Sequence, residues 1–454
     1  VFSYDTFWFV VVASTVVDAI AASMVLIGRH VPHETPSPRI IGIGRLFTAA
    51  SITATVFVLK LVPMMVLVGV RTFGIIHLLY ADLVVLVPLL GIALLVGSRI
   101  SVGGKRWRVL TTPACITALA SLGAIPVGVY ATWIEPFRLQ LETSRVTVSP
   151  RRDGSHVLRI AVLSDLQTVR VTEYERNAVA RLMAQRPDII LLPGDVFQGP
   201  PKAFEANGPA LRELLAQLDA PGGVFLVLGD VDRGGVLLRE LLGSTKVRLL
   251  VNETVRFEVG DRRVTIAGVD LDFTTGPARS AVDRMETGSG EGDIRILLAH
   301  RPDVVLGLRP NSRIDLVVAG HTHGGQVVVP WFGPPMTLSN VPRTVAAGGL
   351  HSLKDNPIYV SRGVGCERGQ APRIRFLCPP EITLLELGSS GGGSTGIPRA
   401  GVTPFSMGKE PDTAFTWIAL WIPHTGPRDC YNIAPHRHMG LSLRRDRSPR
   451  LTEP

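Results

Sequence analysis

The run Gly320-His321-Thr322-His323-Gly324-Gly325-Gln326 places two imidazoles one residue apart on a glycine-rich turn. Imidazoles so spaced, at the C-terminal end of an apolar run over 314–319, can address two neighbouring metal ions. Upstream, Asp165, Asp195, Asp230 and His300 each follow a similar apolar run. One such aspartate alone reads as a turn or helix cap. The ordered series of carboxylates and imidazoles instead points to a two-metal hydrolase. Two cations about 3.5–4 Å apart lower the pKa of a shared water and neutralise phosphoryl oxygens during in-line attack. Mixed carboxylate and imidazole ligands suit Mn, Fe or Zn better than Ca.

These residues need a scaffold that brings loop ends together. Short, nearly continuous apolar runs cover residues 158–163, 188–192, 224–228, 264–269, 294–299 and 314–319. This is the pattern of strands buried on both faces. Helix-type stretches lie between them, at 173–185, 209–218 and 235–242, so the class expected is α/β. Further runs at 326–329, 358–361, 374–377 and 382–387 read as closing strands. Groups placed just after successive strands collect at one edge of a sheet, where catalytic loops commonly lie.

The first third has a different character. Four apolar segments, 7–27, 46–69, 74–97 and 109–134, each reach the ~20 residues that cross a bilayer as a helix, which predicts a four-helix transmembrane domain over 1–134. Cations cluster in the first connection (Arg29, Arg39, Arg45) and the third (Arg99, Lys105, Arg106, Arg108). By the positive-inside rule these face the cytoplasm, and everything after the fourth crossing is extracytoplasmic. Asp18, Lys60 and Asp82 fall inside the segments. Charges in hydrocarbon pair or face a cavity, so either a Lys60–Asp82 pair or a polar pocket for an amphiphilic substrate is expected. Residues 135–157 read as a polar connector, 158–387 as the catalytic domain and 388–454 as a flexible tail opening on Gly and Ser. The net charge is +9. Many of these cations are topology signals or belong to the tail, so nucleic acid is not an expected partner. Cys366 and Cys378 could pair in an oxidising compartment, but nothing in their spacing demands it.

The ordered series resembles the calcineurin-like metallophosphoesterase superfamily, whose pattern runs DxH, GD, GNH with D or E, an isolated H and GHxH. The resemblance spans about residues 158–387. The closing Gly-His-Thr-His-Gly-Gly-Gln and the later Val-Ser-Arg-Gly-Val-Gly (360–365) look most like its membrane-associated bacterial branch. It implies a four-layer α/β/β/α sandwich and two divalent metal ions. Carried across by position, Asp165, Gln167 and His323 hold one metal and Asp195 bridges. Asp230, His300 and His321 hold the second.

Three positions depart from that pattern. Gln167 stands where the resemblance expects histidine, and its amide oxygen shifts the preference towards the harder Mn or Mg. Asp230 replaces the asparagine of GNH, and Val231 its histidine. In the family that histidine is expected to stabilise the phosphoryl group or protonate the leaving oxygen. Removing a general acid costs about 10²–10⁴-fold. Asp232 is the nearest replacement, and Arg233 or Arg301 can supply charge stabilisation. The expected protein is a membrane-anchored phosphoesterase acting on a phosphorylated small molecule or a lipid-linked or envelope substrate. The alternative is a degenerate relative that binds metal or phosphate as a sensor or scaffold.

Overall fold

The structure, a computed structural model, describes residues 4–28, 51–97 apart from 52, 53, 56 and 63, then 101–102, 105–106, 112–232 apart from 153, and 236–388. The tail over 389–454, Arg233 and the first basic connection lie outside the described residues.

Twelve strands of the catalytic region form two mixed six-stranded sheets. The first contains β1 (Gln140–Thr147), β2 (Leu158–Val162), β3 (Ile189–Leu192), β4 (Val224–Leu226), β5 (Val247–Leu249) and β12 (Glu381–Gly388). Its order is β1-β12-β2-β3-β4-β5. The second contains β6 (Glu253–Val259), β7 (Arg262–Gly268), β8 (Ile294–Leu298), β9 (Leu316–Ala319), β10 (Gly349–Leu353) and β11 (Asn356–Val360), in the order β10-β11-β9-β8-β7-β6. The neighbours β2, β3, β4 and β5 run parallel, as do β7, β8, β9 and β11. Parallel strands point their C-terminal ends the same way, so the loops carrying the candidate ligands leave from one edge.

The continuous apolar runs have a direct cause. Ile160, Val162, Ile189 and Leu191 pack against Ile266, Ile296, Leu298 and Val318 in a core between the sheets. The alternate residues Ala161, Leu163, Ile190 and Leu192 pack outward against Val179, Leu182, Leu211 and Leu214 of the helices Glu173–Met183 and Pro201–Leu215. On the far side, Ala267, Leu297 and Val317 meet Ala278 and Met285 of the helix Gly276–Gly288. A strand with a core on each face cannot alternate polar with apolar.

Some expectations change. The connector holds β1, which pairs in parallel with β12 and so belongs to the sheet. The stretches 326–329 and 374–377 do not become strands; a single bridge joins Val327 to Phe376. The helix expected over 209–218 starts at Pro201 and carries Pro209 inside it. Cys366 and Cys378 are both buried and unpaired.

The described residues of the amino-terminal third are mostly helical, but four crossings are not found among them. Among the described residues two helices, Thr72–Ile92 and Ala118–Phe137, are long and apolar enough to cross a membrane. Phe7–Ile20 and Phe57–Val66 are shorter. An apolar run in a sequence does not reveal where the helix stops. Within 46–69 the helical path ends before Gly69, whose φ of +70° breaks it. Lys60 lies between Asp18 and Asp82, its ammonium hydrogen-bonded to both. All three side chains are nearly enclosed. The expected Lys60–Asp82 pair is therefore a triad.

Candidate metal centre

Strand ends and tight turns gather the candidate residues. Asp165 and Gln167 follow β2, Asp195 follows β3, Asp230 follows β4, His300 follows β8, and His321 and His323 follow β9. Asp165, Gln167, Asp195, His321 and His323 all have positive φ, between 38° and 72°. Such backbone costs about 1–3 kcal/mol per residue and clusters at functional sites. Two glycines make room for the carboxylates. A Cβ on Gly229 would lie 2.1 Å from Asp195 Oδ1, and one on Gly320 2.4 Å from Asp165 Oδ2. A side chain at either position would evict the carboxylate.

Ligand-type atoms of Asp165, Asp195 and His300 lie within 4.8 Å of one another, and so do those of Asp230, His300 and His321. His300 Nε2 sits 3.5 Å from both Asp195 Oδ2 and Asp230 Oδ2. His321 Nδ1 is 2.8 Å from Asp230 Oδ2, and His323 Nε2 is 3.8 Å from Asp165 Oδ1. Gln167 Nε2 donates to Asp195 Oδ2 at 3.0 Å. The seven residues therefore share one locality. Three of their buried atoms, Gln167 Oε1, His300 Nε2 and His323 Nε2, have no hydrogen-bond partner. Buried polar atoms are ordinarily satisfied, and atoms of this kind, oxygen and imidazole nitrogen, are those a divalent cation accepts. The donor set fits a metal centre.

The imidazoles are oriented from behind. His300 Nδ1 bonds the Pro193 carbonyl at 2.7 Å and His321 Nε2 the Leu338 carbonyl at 3.2 Å. That leaves Nε2 of His300 and Nδ1 of His321 as the ring atoms turned towards the carboxylates, where a cation would take the place of their protons. This outer-shell arrangement is usual for metal-binding histidines. Electrostatics agree. Burial, reinforced by Asp165, Asp232 and Asp230 against the opposing pull of His300, raises Asp195 to about 7. Burial would lower His300, but Asp195 and Asp230 raise it to about 10. Burial would likewise raise Asp230, yet the His300 and His321 imidazoles hold it well below the carboxylate range. A proton is held where several carboxylates crowd, which marks an excess of negative charge. Burial lowers His323 to about 4, partly offset by Asp165. It is neutral at pH 7, as a ligand must be.

A family model for calcineurin-like phosphoesterases matches residues 158–325. Phosphodiesterase YaeI of Escherichia coli (strain K12) is 30% identical over 267 residues, which are 57% of this chain and 92% of that protein. The chain belongs to the calcineurin-like phosphoesterase family. This metallophosphoesterase is a hydrolase acting on phosphate ester bonds, and divalent metal ions are the family's cofactors. The metallophosphoesterase YkuE of Bacillus subtilis (strain 168) is also 30% identical, over 60% of this chain and 94% of that one. UDP-2,3-diacylglucosamine pyrophosphatase LpxG of Chlamydia trachomatis is 26% identical over 60% of this chain and 96% of that one.

The residues weighed as replacements for the missing histidine stand differently. Asp232 is buried and turned away from a general acid's task. Its oxygens accept from the backbone N–H groups of Asp195 (2.8 Å), Val196 (2.8 Å) and Gly229 (2.9 Å). Arg301 makes a two-pronged ion pair with Asp230, through Nε (3.2 Å) and Nη2. Val231 contributes its backbone N–H to Asp195 Oδ1 at 2.9 Å. Glu367, outside the sequence pattern of ligands, lies 3.4 Å from Gln167 Nε2. The available signal was a lone acidic residue two positions after the Val-Ser-Arg-Gly-Val-Gly run.

Proposed function

We propose that this metallophosphoesterase hydrolyses a phosphate ester or pyrophosphate bond of a lipid-linked or envelope substrate while anchored in a membrane. The reading rests on the convergence at His300: two overlapping sets of ligand atoms, each within 4.8 Å, share that imidazole. In this proposal Asp165, Gln167 and His323 serve one cation, Asp195 bridges, and Asp230, His300 and His321 serve the other. Mn is favoured because the amide of Gln167 is a harder ligand than imidazole. When bound, the pair of cations activates water and neutralises phosphoryl charge. The chain's own groups do the rest. Asp232 holds the β3 and β4 loops together through three amides, and Arg301 fixes the Asp230 carboxylate while keeping a cation at the rim. With Val231 in the histidine's place and Asp232 engaged by three amides, neither position supplies a proton to a poor leaving group. Pyrophosphates and aryl phosphates suffer least from that loss.

Three observations support the lipid-linked class. LpxG is named for a diacylated pyrophosphate. Two helices have the length and composition of membrane spans. The loop after His323 exposes Trp331 (82%), Phe332 (40%) and Leu338 (54%), and Leu338 carries the carbonyl that holds His321. Phe376, which bridges to Val327 in this loop, packs edge-on against Tyr130 of the helix Ala118–Phe137. The apolar loop, the membrane-type helix and the site are therefore neighbours.

The test is the full chain in detergent, stripped of metal by chelation and given Mn with a chromogenic phosphodiester. Turnover restored by Mn and reduced more than about 100-fold in His321→Ala supports the assignment. Tight metal binding without turnover would instead mark a sensor or scaffold.

A further inference from the structure

Gln167 stands where the family resemblance expects an imidazole, and a neutral amide is the weaker ligand. Two loops converge on it. Its amide Nε2 lies between Asp195 Oδ2 (3.0 Å) and Glu367 Oε2 (3.4 Å). Its backbone N–H donates to the Asp195 carbonyl at 2.8 Å, and its own carbonyl accepts from Arg368 Nε. Glu367 is fixed in turn. Its Oε1 accepts from Gln198 Nε2 at 2.7 Å, and its backbone N–H donates to Gln326 Oε1 at 2.7 Å. Gln326 closes the turn that carries His321 and His323. With two carboxylates at Nε2, the amide has one tolerable orientation, because the flipped amide would set its oxygen against both. The remaining oxygen, Oε1, is buried and unpartnered.

We propose that Glu367 is a positioning residue for the metal centre, which presents Gln167 Oε1 as a ligand and adds the negative charge that a neutral amide lacks. Glu367 does for Gln167 what the Pro193 carbonyl does for His300 and the Leu338 carbonyl for His321. Gln167, His300 and His321 then each have an acceptor behind the N–H group, the outer-shell requirement of metal sites. The substitution at 167 and the acid at 367 form a matched pair, two hundred positions apart in the chain.

The inference rests on the metal-site reading above, and one experiment separates the two. Mn binding to the metal-stripped full chain is measured by calorimetry for the natural sequence, Glu367→Ala, Gln167→His and the double variant, with thermal stability recorded alongside. Glu367→Ala is expected to weaken Mn binding by about 10–100-fold. In the Gln167→His background the same change is expected to have less than about a twofold effect, because the dependent amide has gone. Equal losses in both backgrounds overturn the proposal and make Glu367 merely structural. Unchanged affinity in Glu367→Ala overturns it as well. If the natural chain binds no Mn at all, the metal-site reading itself fails. Should Glu367→Ala not fold, Glu367→Asp keeps the charge but shortens its reach and carries the same expectations.

Discussion

At the scale of single residues, the site is defined by what each polar atom lacks. Gln167 Oε1, His300 Nε2 and His323 Nε2 are buried without partners, while the opposite ends of His300 and Gln167 are held by Pro193 and Glu367. Val231 is the residue whose chemistry is missing. Restoring an imidazole there supplies a proton donor, worth about 10²–10⁴-fold. Val231→His should therefore raise kcat on alkyl phosphoesters far more than on p-nitrophenyl esters. Equal gains on both leaving groups would place the benefit in binding. Asp232 gives the converse case. Removing its carboxylate leaves three buried N–H groups unpaired, at about 1–3 kcal/mol each. Asp232→Ala should lower stability by several such increments in denaturant titration. A variant with natural stability but lost turnover would instead make Asp232 a general acid.

At the scale of elements, the strand ends decide which residues meet. Parallel β2, β3 and β4 in one sheet and β7, β8 and β9 in the other deliver their following loops to a common edge. These assignments were legible in the sequence because a strand with a core on each face is continuously apolar and ends where the polar loop begins. β1 was not legible. Its residues Gln140–Thr147 are polar except for Leu141 and Val146, too few to set a period, and they form a strand by pairing with β12, which follows about 240 positions later in the chain. Nor was the loop carrying Trp331, where a non-helical, non-strand path leaves aromatic rings in solvent. Burying an aromatic side chain is worth about 1.5–3 kcal/mol, or about 10–100-fold in affinity. Trp331→Ala should cost that factor in kcat/KM on a substrate with acyl chains and almost nothing on a soluble phosphodiester. Equal losses on both would sever the loop from lipid recognition.

At the scale of the whole molecule, the helical third is tied to the catalytic region by specific bonds. Gln370 accepts from the Arg71 backbone N–H at 2.7 Å and donates to the Gly69 carbonyl at 2.9 Å. Glu135 accepts from the backbone of Leu377 and Cys378. The Lys60 triad lies inside the helices. Removing its single cation leaves Asp18 and Asp82 facing each other in an enclosed space. Breaking a buried ion pair costs about 3–5 kcal/mol. Lys60→Met should lower the melting temperature of the detergent-solubilised chain while turnover of a soluble diester persists at permissive temperature. If stability is unchanged but acylated substrates are lost, the triad is a substrate pocket instead.

The sequence alone determined the chemistry on offer, because carboxylates and imidazoles after apolar runs carry their meaning in residue type and order. It also determined the α/β class, since double-sided burial writes itself into continuous apolar strands. Tertiary structure decided which neutral or charged group stands behind each ligand. It turned Asp232 towards amides, set Arg301 on Asp230 and brought Glu367 to Gln167. Hydrogen-bond partners distant in the chain leave no periodic trace, and contact between them exists only once the backbone has closed.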